Sequence, residues 1–278
     1  MKKTLLTFLL SLFLIKNILS AEPLPDDFKL NIGAYIVGNQ SSNIAITAHD
    51  GYSVTLDLQK ILKMETEATS LYFDGYYRFT PHHRVEFGYG GVKSSAYTKY
   101  GKVYGDGTSI PIDLRHKVNT HLNVAVAKLL YTYSFYHTQD VELGLGFGIH
   151  RTEIDYALSV GIGDQDANSE FSIVIAPPIP VFGFRLDYNI LKRWSVLYKI
   201  DYLSLSSKIN YYQTPGIKKL SGHILDHTIS TEYQFIDNIS LALGINYNEM
   251  EIDFIKESYD IGLENDVVGV SGSIALYF

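Results

Sequence analysis

Apolar side chains recur at every second position toward the carboxy terminus. Val268, Val270, Ile274, Leu276 and Phe278 share one parity with Gly272, and Ser271, Ser273, Ala275 and Tyr277 hold the other. A period of two puts the two sets on opposite faces of a β-strand. The same alternation sets Leu71, Phe73, Tyr77 and Phe79 against Tyr72, Asp74, Tyr76 and Arg78. It also sets Val141, Leu143, Leu145, Phe147 and Ile149 against Glu142, Gly144, Gly146, Gly148 and His150. Such segments between turn signals predict strands at 28–37, 69–80, 84–94, 121–136, 141–151, 180–190, 194–205, 223–235, 239–249 and 267–278.

The joins fall into two classes. Pro81-His82-His83, His137 to Asp140, Leu191-Lys192-Arg193 and Ile236-Asp237-Asn238 are tight, whereas 38–68, 95–120, 152–179, 206–222 and 250–266 read as long and polar. Four tight turns with both termini at the same end predict ten antiparallel strands; eight or twelve are the alternatives. Within 38–68, the segments Asn43 to Thr47 and Tyr52 to Leu58 flank His49-Asp50-Gly51, a hairpin signal. They form either an external hairpin or a continuation of the first two strands. Pro177, Pro178 and Pro180 start the sixth strand at the rim, because proline cannot donate to an interior ladder.

Alternation alone fits either a soluble sandwich with a buried apolar face or a membrane barrel that turns this face to lipid. The aromatic positions favour the barrel. Tyr77, Phe79, Tyr133, Phe135, Tyr188, Trp194, Tyr233, Phe235 and Phe278 all lie near a tight turn or the carboxy terminus. They predict a girdle at one membrane interface, where rings bridge the apolar and wet layers. The fold class expected is therefore all-β, a closed antiparallel up-and-down transmembrane β-barrel with its tight turns in the periplasm.

Composition narrows the setting. Met1-Lys2-Lys3 and the apolar run Thr4 to Ile15, ended by Lys16, have the layout of a secretory signal, with cleavage expected after Ala21. The run is well short of the roughly 20 residues a spanning helix needs. Residues 22–278 then form one barrel domain. Losing Lys2, Lys3 and Lys16 leaves 20 of the 23 basic residues against 30 acidic ones, a balance near −10 that disfavours nucleic acid as a partner. Cysteine is absent, which removes disulfides and thiol chemistry.

Asp74-Gly75-Tyr76-Tyr77-Arg78-Phe79 through His83-Arg84-Val85-Glu86-Phe87-Gly88, the run Tyr131 to Tyr136 and the terminal Ala275-Leu276-Tyr277-Phe278 resemble small Gram-negative outer-membrane barrels of the OmpW-like and OmpA-like type. The resemblance implies residence in the outer membrane, contact with its lipid and lipopolysaccharide, and delivery by the barrel-assembly machinery. In that group the terminal aromatic is part of the assembly signal, a role that would fall to Phe278. OmpW-like barrels have eight strands, so ten depart from that pattern. A monomer is expected.

Inward parity gives the cations Lys29, Arg78, Lys128, Arg185 and Lys199 and the anions Asp74, Glu86, Glu142, Asp187, Asp201, Asp226 and Glu232. Unpaired charges in a lumen this narrow would cost several kcal/mol each, so they are expected to pair across it and obstruct it. Arg78, Glu86, Lys128, Glu142, Arg185, Asp187, Lys199 and Asp201 carry that expectation. The competing reading is a narrow conducting path, for which Gly88, Gly90, Gly144, Gly146, Gly148, Gly183 and Gly244 would leave room.

Hydrolytic chemistry finds little support. His223, Asp226 and His227, and His150 with Asp155, lie near the outer rim. An Asp-His pair of the kind in the ten-stranded omptin proteases needs a second acidic pair, for which Asp164 and Asp166 are the nearest match. Asp226 and His227 have opposite parity, as do His227 and Ser230. Metal, nucleotide and other cofactors are not expected. The alternative role is surface recognition through Tyr97, Tyr100, Tyr104, Tyr211, Tyr212 and Tyr259 in the external segments.

Overall fold

The computed structural model describes residues 27–49, 51, 53–57, 69–98, 101–103, 112–114, 117–161, 178–207, 217–257 and 259–278. The expected signal segment, residues 1–21, lies outside them. The strands are β1 (Phe28–Ala48), β2 (Ser53–Asp57), β3 (Thr69–Thr80), β4 (His83–Thr98), β5 (Gly101–Val103), β6 (Ile112–Leu114), β7 (Lys117–His137), β8 (Val141–Gly161), β9 (Pro178–Leu191), β10 (Trp194–Ser207), β11 (Ile217–Ile236), β12 (Ile239–Lys256) and β13 (Tyr259–Tyr277). Strands β1, β3, β4 and β7 to β13 pair in chain order, and β13 returns to β1. The result is a closed ten-stranded antiparallel barrel. Reciprocal backbone bonds seal the seam at the rim, Phe28 N to Phe278 O at 3.1 Å and Phe278 N to Phe28 O at 2.9 Å.

The exterior explains the alternation. Leu71, Phe147, Phe182, Leu243, Ile245 and Ile274 point outward and are about half exposed or more, whereas Lys29, Arg84, Glu86, Arg185 and Glu232 point inward and are almost wholly buried. A greasy exterior around a charged interior is stable only with hydrocarbon outside, so the barrel is a transmembrane one.

Strand lengths correct the sequence-based expectation. The segment 250–266, expected as a long loop, is strand nearly throughout, with β12 running to Lys256 and β13 starting at Tyr259. Strand β1 likewise continues to Ala48, where β2 pairs with its upper part from Asn43↔Asp57 to Thr47↔Ser53. The candidate hairpin therefore extends the first two strands. The cause is a reversal of faces above the bilayer. Inward positions become apolar, with Met250, Ile252, Phe254, Ile261 and Val267 buried. Outward positions become acidic, with Glu251, Asp253, Glu264 and Asp266 exposed. Once water replaces lipid outside, the ordinary inside–outside rule returns.

This upper storey carries an electrostatic burden. Glu249 stands directly opposite Asp266, and Glu251 opposite Glu264, and like charges facing across a ladder repel. Partial loss of hydration pushes the Asp266 carboxyl above its usual range although the residue is largely exposed, and Glu249 and Glu264 beside it push the same way. An acid held above its unfolded value withdraws stability as pH rises through the folded value and returns it on acidification. Asp266→Asn is therefore expected to raise the melting temperature at neutral pH and low salt. The gain should shrink in high salt or on acidification; a gain independent of both would refute the repulsion.

Close approach of strands also shapes the wall. A Cβ at Gly148 would lie 2.1 Å from the Leu129 carbonyl oxygen and 2.6 Å from Leu130 Cα, both of them backbone atoms that cannot step aside. Gly148→Val is expected to abolish the folded band in a heat-modifiability gel.

Candidate functional site

The inward side chains of the lower barrel converge on a septum. Arg84 is its hub: its Nε lies 2.9 Å from Glu86 Oε1, and its Nη1 lies 3.2 Å from Glu142 Oε1 and 2.9 Å from Asp187 Oδ2. Arg185 forms a second centre, with Nε 2.7 Å from Glu86 Oε2 and Nη1 2.7 Å from Asp201 Oδ1. Arg78 Nη2 donates to Glu142 Oε2 at 2.7 Å. Around them stand Lys128–Asp201 at 2.8 Å, Lys199–Asp74 at 2.9 Å and Lys29–Glu232 at 2.6 Å. Six cations thus face six carboxylates, and the septum carries no formal excess of either sign.

Neutral groups complete the network. Thr132 Oγ1 donates to Glu86 Oε1 at 3.0 Å, Ser134 Oγ donates to Glu142, and Tyr277 Oη donates to Glu232. The Tyr76 ring lies 4.8 Å from the Arg84 guanidinium carbon and 5.6 Å from that of Arg78, within cation–π range.

The inner-face glycines make room for these side chains. A Cβ at Gly183 would meet Asp201 Oδ1 at 2.7 Å and Arg185 Nη1 at 2.8 Å, one at Gly88 would meet the Lys128 stem at 3.3 Å, and one at Gly144 would meet Thr132 Cγ2 at 2.9 Å. At these three positions the space expected to serve a path is taken by the septum.

Free volume follows the same division. A vestibule of about 350 Å³ at the tight-turn end reaches Tyr76, Glu142, Asp187 and Tyr277. An outer chamber of about 320 Å³ reaches Tyr35, Tyr72, Asp226 and Asn246. Between them, Arg84, Glu86, Lys128, Arg185, Asp187 and Lys199 enclose about 20 Å³. One water needs about 10–15 Å³ by the same measure, so this space holds a water or two. Lys29 borders all three spaces.

All eight residues expected to carry the network lie in the septum. Arg84, which pairs with three carboxylates, is absent from the inward set read from sequence, although it shares parity with Glu86 two residues on; its place beside the Pro81-His82 turn disguised it. Asp226, expected among the inward charges, lies above the septum, where Asn248 Nδ2 donates to it.

Of the aromatics assigned to the girdle, Tyr77, Phe79, Tyr133, Phe135, Trp194, Tyr233, Phe235 and Phe278 point outward and are exposed near the tight turns, and Tyr188 is half-buried there. Phe73, Tyr89, Phe147 and Phe182 also face outward higher up, so aromatics are not confined to the lower rim.

The rim groups tested for hydrolytic chemistry are dispersed. His227 Nδ1 lies 2.9 Å from Tyr198 Oη on the outer face, across the wall from Asp226. His223 sits beside Glu249 and Glu251, at 3.4 and 3.7 Å. His150 is buried on the inner face. Asp164, Asp166, Tyr100, Tyr104, Tyr211 and Tyr212 lie outside the described residues, as do the side chains of Asp155 and Tyr97. Tyr259 Oη accepts from Lys256 Nζ at 3.1 Å at the top of the β12–β13 hairpin.

No protein-family model matches the chain, and no curated protein matches it by sequence. Among solved structures it is similar to the outer-membrane protease OmpT of Escherichia coli, with 11% identity over 94% of this chain and 99% of that one and a TM-score of 0.56. It also aligns with OprG of Pseudomonas aeruginosa, at 11% identity over 94% of this chain and 100% of that one, with a TM-score of 0.39. A third alignment is with Ail, the attachment invasion locus protein of Yersinia pestis, at 9% identity over 89% and 97% of the two chains, with a TM-score of 0.33. At these identities the likeness to OmpT is one of fold alone, and it is the fold of an outer-membrane β-barrel.

Proposed function

We propose that the protein is a monomeric, non-enzymatic barrel of the Gram-negative outer membrane, exported through the periplasm, whose lumen is shut at rest by the charged septum. Its role is structural, with passage of small solutes or ions only when the septum parts. The observation that carries this reading is the 20 Å³ gap between two chambers more than ten times larger. The charge balance supports it, because a lumen with each cation matched to a carboxylate offers no surplus field to draw an ion inward. The apolar outer face and its aromatics suit contact with lipid and lipopolysaccharide. Phe278, set in the closing seam, suits recognition by the assembly machinery.

Planar-bilayer recordings of the refolded wild type are expected to show no steady unit currents at moderate voltage. Steady openings would overturn the closed septum.

A further inference from the structure

His150 is buried on the lumen face of β8 at 1% exposure, and neither ring nitrogen has a hydrogen-bond partner among the described residues. A neutral imidazole tolerates such a place at the cost of an unmade hydrogen bond. An imidazolium brings two N–H donors and a charge that must be answered. What surrounds the ring decides how that charge would be received. On β7 its register partner is Lys128. On β9 the partner is Ile179, with Val181 two residues on, both buried. On β8 itself Thr152 is neutral, and Arg151 and Glu153 are exposed on the outer face, 3.8 Å apart. Farther round the wall, Asp201 of β10 and Asp226 of β11 are within Coulombic reach.

A second cation here disturbs one particular pair. Both oxygens of Asp201 are taken, Oδ2 by Lys128 at 2.8 Å and Oδ1 by Arg185 at 2.7 Å. Arg185 is held from its other side by Glu86 and is almost wholly buried. Lys128 has 28% of its side chain exposed and borders both the septum gap and the outer chamber, so it is the partner able to leave. Side chains at facing register positions start about 5 Å apart at Cβ, where like charges repel. An imidazolium at 150 therefore drives Lys128 toward the chamber and takes over Asp201 Oδ2. Asp226 awaits the displaced ammonium: it lines the chamber, already attracts Lys128 and has no ion pair among the described residues.

We propose that His150 is a proton-operated release for the septum: once protonated it displaces Lys128 from Asp201 and widens the gap between the two chambers, so that the barrel passes small ions in acid and is shut at neutral pH. The inference rests on the closed septum proposed above and names what parts it. Acid favours whichever state binds the extra proton, and a single proton limits the rise in open fraction to about tenfold per pH unit.

Planar-bilayer recording of the full refolded chain at about pH 7.5 and about pH 5 brackets the range in which histidine changes charge. Wild type is expected to be silent at the first, to show steady unit currents at the second, and to fall silent again when the pH is restored. His150→Gln and His150→Phe, which take up no proton, should be silent at both, with the folded band in a heat-modifiability gel showing that each has assembled. Lys128→Ala, which vacates the same place permanently, should conduct equally at both, so a folding defect at position 150 leaves a decisive variant. His137→Gln, which removes the imidazole 3.3 Å from Glu142 at the vestibule, should keep the acid current. A wild type silent in acid, an acid current that survives loss of His150, or Lys128→Ala silent at neutral pH would overturn the proposal. So would a rise steeper than one proton allows. Wild-type current at neutral pH would instead sink the closed septum, and the release would then stand or fall on whether acid raises that current and His150→Gln removes the rise.

Discussion

Replacing Arg84 by alanine is expected to cost about 3–5 kcal/mol of stability and to turn a silent barrel into a leaking one. Arg84 is 1% exposed and touches Glu86, Glu142 and Asp187 at once. Glu86 keeps Arg185 and Glu142 keeps Arg78 when Arg84 is gone, but Asp187 has no other ion pair among the described residues. The loss therefore leaves three carboxylates crowded at one level with less positive charge between them, and truncation widens the narrowest gap. Urea titration in lipid vesicles gives the stability, and planar-bilayer recording gives the current. If neither changes, the septum is decoration and the proposed function falls. Arg84→Lys keeps the charge but loses the fork that reaches three partners, so it should recover only part of the stability.

The second large effect is expected on the opposite face. Ile245 is 57% exposed at mid-height of β12, and arginine there should cost about 2–4 kcal/mol. Phe235→Arg, beside the Asp237-Asn238 turn, should cost about 0–1 kcal/mol because its guanidinium reaches the headgroups. It is the difference between the two that diagnoses a bilayer. Equal penalties would mean that protein, not lipid, covers this face, and would remove the basis for every statement about location.

Much of the barrel was legible because the bilayer imposes one simple rule on its middle. Strand β3 carries the boundaries expected for it, and the four tight turns fall where Pro81-His82, Thr138 to Asp140, Lys192-Arg193 and Asp237-Asn238 signal them. Proline at 178 and 180 starts β9 at the height of Arg151 and Ile149, as a residue without an amide hydrogen should. The rule failed where its premise ended. Met250, Ile252 and Phe254 have the parity that faces the lumen lower down, so an eye trained on apolar-outside alternation sees the pattern dissolve when it has only changed sides. Arg84 was missed for a related reason: the parity was available, but the residue stands one step from a turn, where loop polarity is the ordinary explanation. The outer chamber was least legible, since Asn31, Gln40, Tyr35 and Tyr72 lie on two strands and a bulge between Val37 and Asn39 changes the parity that would have joined Gln40 to the others.

The exchange of faces near Glu249 and Asp266 gives the molecule a waterline. Sinking by a single pleat would drag carboxylates into hydrocarbon, and rising by one would strand the leucines and isoleucines below them in water. Depth is thus fixed from both directions by the sequence of one hairpin. Above that line the β12–β13 hairpin has the chemistry of a water-soluble sheet standing on a lipid-soluble one.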